Sequence, residues 1–389
     1  MKARSPAISL AACPDTQAPV ARACAVLLLV LTQSQAWAQA SDETVTVSVT
    51  RGVELRSFDA PASIDGISGA VLRDAQLQVN LSETLSRAPG IVALNRQNYA
   101  QDLQISSRGF GARSTFGVRG IRLYADGIPA SGPDGQGQVS HFDLSSASRV
   151  EVLRGPFSSL YGNSSGGVIS ITTEDPGAQP QADVALTAGS NGVRREALKV
   201  GAAQGPLQWL FSTSHFSTEG SRDHSAADRN SFNGKLRWQV AEGARLTLVL
   251  NSLRMPDAQD PLGLTRAELN ANPQQASPAA LLYNTRKSVS QDQIGLVWDQ
   301  RLGAADALQI TTYRGERAAV QFQAIPASAQ ASATHPGGVI DLSRSYQGLD
   351  VRWIRQDVLL QRPLTLTAGV AVDQLDEIRR GYQNFLGTG

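Results

Sequence analysis

Hydrophobic and polar residues alternate with a period of two along most of the second half of this chain. The clearest examples are Leu246, Leu248 and Leu250. A two-residue period places alternate side chains on opposite faces of an extended strand. Nine segments show the pattern, and each is predicted to be a β-strand: 182–190, 192–202, 206–217, 229–240, 243–254, 288–300, 307–323, 345–360 and 363–378.

The connections between these segments differ in length. Short turns at Gly189–Gly192 and Ala241–Gly243 alternate with long polar segments at 255–285 and 325–344. This asymmetry is typical of an antiparallel membrane β-barrel, with short turns at one end and long loops at the other. A soluble β-sandwich has the same alternation within each strand, so the period alone leaves both folds open.

Residues 59–177 have a different sequence pattern, in which short apolar runs are separated by segments rich in glycine. A short helix is predicted at Ser82–Arg87, because Ala88-Pro89-Gly90 would end it. Asp126-Gly127 predicts a hairpin, since both residues tolerate the positive φ angles of a primed turn. A strand is predicted at Val168–Thr172, after the glycine pair 166–167. These signals predict a small α+β domain.

The N-terminal segment has the features of a secretory signal peptide. Lys2, Arg4 and Arg22 precede an apolar run of about ten residues, and Ala36-Trp37-Ala38 is a small-x-small cleavage site. A membrane-spanning helix would need about 20 apolar residues. We therefore predict a signal peptide at 1–38, whose removal would also remove both cysteines. Val45, Val47 and Val49 then predict one extended strand in segment 39–58.

Charge and composition exclude several classes of function. The net charge of +1 gives no reason to expect nucleic acid as a partner. No G-x-S-x-G or H-E-x-x-H motif occurs, and the segment beginning at Gly109 lacks the third glycine of a dinucleotide loop. The four histidines have no ligand spacing, and His141 alone lies within the small predicted domain. We therefore expect no enzyme activity, no cofactor and no metal site.

One region carries a specific resemblance. The elements RGFGAR, LYADGIP, VEVLRGP, SLYGN and GGVISI follow one another between Ile105 and Thr173. In order and spacing they resemble the plug domain of TonB-dependent outer-membrane receptors, in a branch that includes iron-complex receptors and a pyrroloquinoline quinone receptor. The resemblance implies a mostly β fold, with an α+β plug at 59–177 followed by a transmembrane β-barrel at 178–389. A complete barrel of the family has about 22 strands, so nine would be an incomplete, truncated barrel.

The resemblance also implies roles for particular residues. A TonB box within linker 39–58 would add as a strand to TonB; its core residues are Thr44, Val45, Thr46, Val47 and Ser48. An ion-pair lock between plug and barrel would use Arg108 and Arg154, with Glu151 nearby, and barrel glutamates as partners. Ligand contacts at the plug apex would come from polar donors that suit an anionic ligand: Asn98, Tyr99, Arg113, Ser114, Asp134 and Gln136.

The function implied by the resemblance is TonB-dependent active transport across the cell outer membrane by a monomer embedded in outer-membrane lipid. TonB and its inner-membrane energising complex would be the protein partners, and an iron–siderophore complex the ligand. An anionic cofactor such as pyrroloquinoline quinone is the alternative ligand for the same mechanism. A passive porin-like barrel and a secreted β-binding module are alternatives of other classes, and neither needs a TonB box.

Overall fold

The computed structural model describes residues 46–50, 53–56, 63–95, 97–114, 117–155 and 158–384, which belong to one compact unit spanning Val45–Gly389. The predicted signal peptide, both cysteines, Thr44 and Val45 lie outside the described residues. The first described elements are β1 (Thr46–Thr50) and β2 (Val53–Arg56), which pair antiparallel. The strand predicted around the valines of segment 39–58 is therefore present from Thr46.

A small domain follows, and we use that name for residues 63–173. Its elements are β3 (Ser63–Ser68), α1 (Gly69–Arg73), α2 (Ser82–Leu85), β4 (Ile91–Leu94), β5 (Gln104–Ser107), β6 (Val118–Arg119), β7 (Arg122–Ala125), β8 (Ile128–Pro129), β9 (Gln136–Gly137), β10 (Ala147–Arg154), α3 (Ser158–Tyr161) and β11 (Val168–Thr173). Its main sheet has the order β3-β10-β11-β7-β8, in which β11 and β7 are parallel. Strand β3 is therefore an edge strand that pairs with β10.

The core of the small domain comes from the short apolar alternations in the sequence. Val150, Val152, Ile169 and Ile171 lie on adjacent strands, and all four are almost fully buried. The predicted hairpin is confirmed: Asp126 and Gly127 have φ angles of 48° and 80° between β7 and β8. The predicted helix ends two residues early, at Leu85.

Nine further strands form one antiparallel meander, which we call the large sheet. Its strands are β12 (Gln181–Ala188), β13 (Arg194–Gln204), β14 (Leu207–Thr218), β15 (Ala227–Ala241), β16 (Ala244–Gln259), β17 (Arg286–Arg301), β18 (Asp306–Phe322), β19 (Val339–Leu359) and β20 (Arg362–Tyr382). Each strand pairs with the next one along the chain. The nine predicted strands are confirmed, although most are longer than predicted. Three short helices lie in the connections: α4 (Arg266–Ala271), α5 (Pro278–Tyr283) and α6 (Ala327–Gln330).

The connections lie at two ends of the large sheet, and one prediction about them was wrong. The long loops 260–285 and 323–338 share an end, which we call the loop end, with 219–226 and also with the turn 189–193. The sequence grouped that turn with Ala241–Gly243, which lies at the opposite end, the turn end. In an antiparallel meander successive connections alternate between the two ends of the sheet. The position of a connection in that series, and not its length, therefore decides the end at which it lies.

The two faces of the large sheet differ in polarity. The face that packs on the small domain buries polar residues such as Lys235, Asn251 and Gln293. The opposite face exposes a row of registered apolar residues that crosses the strands and includes Leu296, Leu349 and Val372. A water-soluble sandwich would bury its apolar face, whereas apolar residues facing outward are typical of a lipid-exposed sheet. Among the described residues, no helix is long and apolar enough to cross a membrane.

Candidate functional site

The connection between β4 and β5 brings the small domain up to the loop end of the large sheet; we call it the apex loop. The Asn98 side chain donates a hydrogen bond of 2.6 Å to Asp260, and the Gln101 side chain donates to the same carboxylate. Asp260 lies just beyond the end of β16. The Tyr99 ring packs against Phe216 of β14, with 4.8 Å between ring centroids. The apex loop is therefore fixed to two places on the large sheet.

A cavity of about 50 Å³ lies beneath the apex loop, between the small domain and strands β15 to β18; we call it the apex cavity. Arg229 of β15 and Arg317 of β18 bring two guanidinium groups to it from the large sheet. Its other polar lining residues are Asn80, Asn95, Asn98, Tyr99, Gln101, Asp102, Gln138 and Ser140. Amide side chains can donate and accept hydrogen bonds, and guanidinium groups only donate. The apex cavity therefore suits a polar or anionic group.

One carboxylate of this cavity, that of Asp102, is only 14% exposed. Asp102 lies 2.6 Å from the Lys287 ammonium and 4.0 Å from the Arg317 guanidinium. Burial on its own would raise the pKa of Asp102, but the two cations more than offset burial and hold that pKa below its usual value. The pKa of Tyr99 is raised, first by burial and then by the charge of Glu83. Asp102 is therefore ionised and Tyr99 neutral near neutral pH.

His141 lies beside the cavity, next to Ser140 in sequence. Its side chain is buried, and neither ring nitrogen has a hydrogen-bond partner. Burial, with the positive charges of Arg317 and Arg229, lowers the pKa of His141 from 6.5 to about 3. The imidazole is therefore neutral. Among the described residues, no group of three or more His, Cys, Asp or Glu side chains could hold a metal ion.

Most ion pairs that join the large sheet to residues 63–175, which are the small domain and the start of the segment after it, have the cation on the large sheet and the carboxylate on the other part. Lys235, with a side chain only 2% exposed, lies 2.7 Å from Asp175 and 3.6 Å from Asp126, and it donates to the Thr173 carbonyl at 2.9 Å. The Lys287–Asp102 pair has the same polarity. Arg122 and Asp373, 2.9 Å apart, have the opposite one.

Comparison with known proteins identifies this arrangement. Residues 56–168 match the family model described as the TonB-dependent Receptor Plug Domain. These residues form a plug domain of the TonB-dependent receptor family. The small domain is the plug of the family, and the large sheet is the first part of its barrel fold. This membership places the protein in the outer membrane.

Individual relatives agree with the family model. The chain is 26% identical over 221 residues to the "Ferrioxamine receptor" of Yersinia enterocolitica, a match that covers 54% of this chain and 30% of that protein. Unliganded FecA, a ferric citrate transporter, superimposes with a TM-score of 0.64 at 20% identity, over 86% of this chain and 50% of FecA. The open form of Fiu, a ferric-catecholate import receptor from E. coli K12, gives 0.63 at 17% identity, over 84% and 51%. The chain thus spans about a third to a half of the length of these relatives.

The described contacts of the three predicted lock residues, Arg108, Arg154 and Glu151, lie within the small domain. Arg154 lies 2.5 Å from Asp65 of β3 and donates to the Pro89 carbonyl, both within the small domain. Glu151 contacts Arg149 at 3.1 Å. The Arg108 backbone, at a φ of 50°, donates to the Gly90 carbonyl. Within the described part of the chain, neither Arg108 nor Arg154 forms an ion pair with the large sheet. The lock remains a prediction.

The six predicted ligand residues do not form one group. Asn98 and Tyr99 line the apex cavity, whereas the Ser114 hydroxyl donates to the Gly117 carbonyl within a turn. Asp134 and Gln136 face Arg344 of β19, at 4.0 Å and 3.3 Å. Arg113 is exposed. A ligand role for any of the six is still a prediction.

Sequence reasoning missed the cavity residues that the large sheet contributes. Arg229 and Arg317 are far apart in sequence, and nothing in either segment points to a shared site. One signal was available: both are charged residues at inward-facing positions of alternating strands. Lys235 and Lys287 have the same signature. In these four cases, a charge at an inward-facing strand position indicates a contact with the plug.

The predicted TonB box is only partly within the described residues. Thr46, Val47 and Ser48 belong to β1, where they pair with Arg56, Leu55 and Glu54 of β2. The binding of TonB by these residues remains a prediction.

Proposed function

We propose that this protein imports a scarce ligand, an iron–siderophore complex, across the outer membrane by TonB-dependent active transport. The observation that carries the proposal is the seating of the plug: it packs on the polar face of a sheet whose opposite face is apolar. In a complete barrel a plug seated in this way would block passive conduction, so transport would need energy to move the plug. Relatives named as receptors or transporters of ferrioxamine, ferric citrate and ferric catecholate support iron complexes as the ligand class.

In this proposal the ligand binds from the loop end and TonB acts on the N-terminal segment. TonB would pair with residues 44–48 as an added strand, for which β1 would have to leave β2. Because β3 is the first strand of the small-domain sheet after that segment, and is an edge strand, a pull would act on it first. No covalent step is required. During the movement, the ion pairs between the plug and the large sheet would be replaced by contacts of each charged group with water.

The test is uptake of radioactive iron by a deletion strain that carries the wild-type gene or a Val47→Pro variant. Proline has no N–H and would remove a main-chain hydrogen bond from strand addition to TonB. We expect Val47→Pro to abolish uptake from the ferric siderophore that the wild type imports, and the matched Val47→Ile variant to retain it. A proton uncoupler should abolish uptake by the wild type and by Val47→Ile. Import that survives Val47→Pro and the uncoupler would show a passive pore.

An anionic cofactor such as pyrroloquinoline quinone is the second candidate ligand. The two arginines of the apex cavity favour it, because charge-assisted hydrogen bonds from guanidinium groups suit carboxylates. The same strains would be given labelled cofactor. Import of the cofactor with no import of iron complexes would favour this candidate.

A further inference from the structure

Arg229 is a cation without an acidic partner at the interface between the small domain and the large sheet. Its guanidinium donates a hydrogen bond of 2.7 Å to the Val79 carbonyl and another to the Ser140 carbonyl. Within the residues that the structure describes, no carboxylate oxygen lies within 4.0 Å of it. A charge removed from bulk water is costly unless it is paired. An anion delivered to Arg229 would therefore be stabilised.

The acidic side chains whose charges reach Arg229 are Glu83 and Asp143, and both are engaged elsewhere. Glu83 accepts three backbone hydrogen bonds of 2.6 to 2.9 Å, from residues 78–80. Asp143 accepts from the Ser145 backbone at 3.1 Å and from the Ser146 hydroxyl at 2.5 Å. These contacts hold both carboxylates in place, so their charges act on Arg229 from a distance and neither forms an ion pair with it.

Arg317 places a second guanidinium at the same cavity. It donates to the Gln291 side chain at 2.5 Å and lies 3.4 Å from the Ser140 hydroxyl. Its carboxylate neighbour, Asp102 at 4.0 Å, is closer to Lys287. The charged residues that line the cavity are thus two cations, Arg229 and Arg317, and one carboxylate, Asp102, which leaves an excess of one positive charge. The excess makes this cavity attractive to an anion.

The size of the cavity limits what can bind there. About 50 Å³ has room for slightly more than one water-sized group, and not for a whole iron complex. Its neutral polar residues, Asn80 and Gln138, offer further hydrogen bonds. We propose that the apex cavity binds a single carboxylate group of the imported compound. The proposal rests on the proposed function and narrows it: the ligand class is compounds with a free carboxylate.

Acetate is the probe for this site, with its neutral isostere acetamide and with chloride at matched ionic strength as controls. We would measure the thermal unfolding of the purified full chain in detergent against the concentration of each. We expect acetate to raise the Tm of the wild type beyond the effect of chloride, and acetamide to have no effect. Arg229→Gln should weaken apparent acetate binding by about ten- to a hundred-fold, because it removes a charge-assisted hydrogen bond.

Two further variants serve as controls. Arg229→Lys keeps the charge and should retain part of the acetate response. Arg254→Gln alters an arginine of β16 that pairs with Asp292 at 2.6 Å, away from the cavity, and should respond as the wild type does. A wild-type response no larger than that to chloride overturns the proposal. An equal response in Arg229→Gln and wild type also overturns it.

Uptake assays separate failure of this inference from failure of the proposed function. Strains with wild type or Arg229→Gln would be given ferric citrate, which has free carboxylates, and the ferric complex of a cyclic trihydroxamate, which has none. We expect the wild type to import the carboxylate-bearing complex and not the neutral one, and Arg229→Gln to impair that import. Import of the neutral complex by the wild type, dependent on Val47 and unchanged in Arg229→Gln, would overturn the carboxylate class and leave energised import standing.

Discussion

Ile128 of the small domain fits against Gly295 of β17, and this contact predicts the effect of adding one methyl group. Ile128 is 1% exposed and packs with Val249, Val297 and Tyr313 of the large sheet. A Cβ atom built on Gly295 would lie 2.5 Å from Ile128 Cγ1 and 3.2 Å from Cγ2, and it would also overlap Cδ1. Neighbours on several sides limit the movement of Ile128. Gly295→Ala should therefore displace the β7–β8 hairpin from the large sheet.

The magnitude follows from overpacking. An extra methyl group in a well-packed core costs about 1–3 kcal/mol. If that cost appears as easier opening of the hairpin, amide hydrogen exchange at 122–129 should become about 5- to 150-fold faster. Exchange measured by mass spectrometry on the detergent-solubilised protein would report it. Gly303→Ala is the matched control, because a Cβ there meets nothing within 4 Å.

A double-mutant cycle tests the cause. Ile128→Ala alone leaves a cavity and should cost about 2–5 kcal/mol. In the double variant the methyl group added at position 295 occupies part of the vacated space. The destabilisation of the double variant should therefore be smaller than the sum of the two single destabilisations, by more than about 0.5 kcal/mol. Hairpin exchange in Gly295→Ala that is no faster than in Gly303→Ala would refute the reasoning. Strict additivity in the cycle would refute it as well.

Three further predictions concern the charges. Asp102→Asn leaves Lys287, with a side chain 7% exposed, without its carboxylate, and should destabilise the apex loop by about 3–5 kcal/mol, seen as faster exchange at 97–103 but not at 122–129. His141 has a pKa lowered from 6.5 to about 3, so the stability that its neutral form contributes is complete above pH 6.5 and declines as the pH falls towards 3. Between pH 6.5 and about 4 the Tm of His141→Phe should therefore fall less than the Tm of the wild type. An equal fall in the two proteins would contradict this. Arg154→Gln should speed exchange in β3, because it removes the ion pair with Asp65; no change in β3 would show that Arg154 acts elsewhere.

Local patterns in the sequence determined much of the fold. Alternation along a strand depends on the strand alone, so nine strands were predicted from the period of two and nine were found. The Asp126-Gly127 hairpin was equally local, since it depends on the φ angles of two residues. The motifs between Ile105 and Thr173 identified the plug because glycines at close approaches constrain the sequence itself. The ends of the strands were predicted less accurately, because a strand continues for as long as the neighbouring strand pairs with it.

The contacts between the small domain and the large sheet were decided by the tertiary structure. Arg154 lies beside Asp65 because β3 and β10 are neighbours in one sheet. Arg229 and Arg317 share a cavity because the register of four strands brings them to one level beneath the apex loop. Such contacts join residues that are far apart in sequence, and no local period records them. The sequence by itself therefore determined the strands, the hairpin and the plug motifs, whereas folding decided which charges meet and where the apex cavity lies.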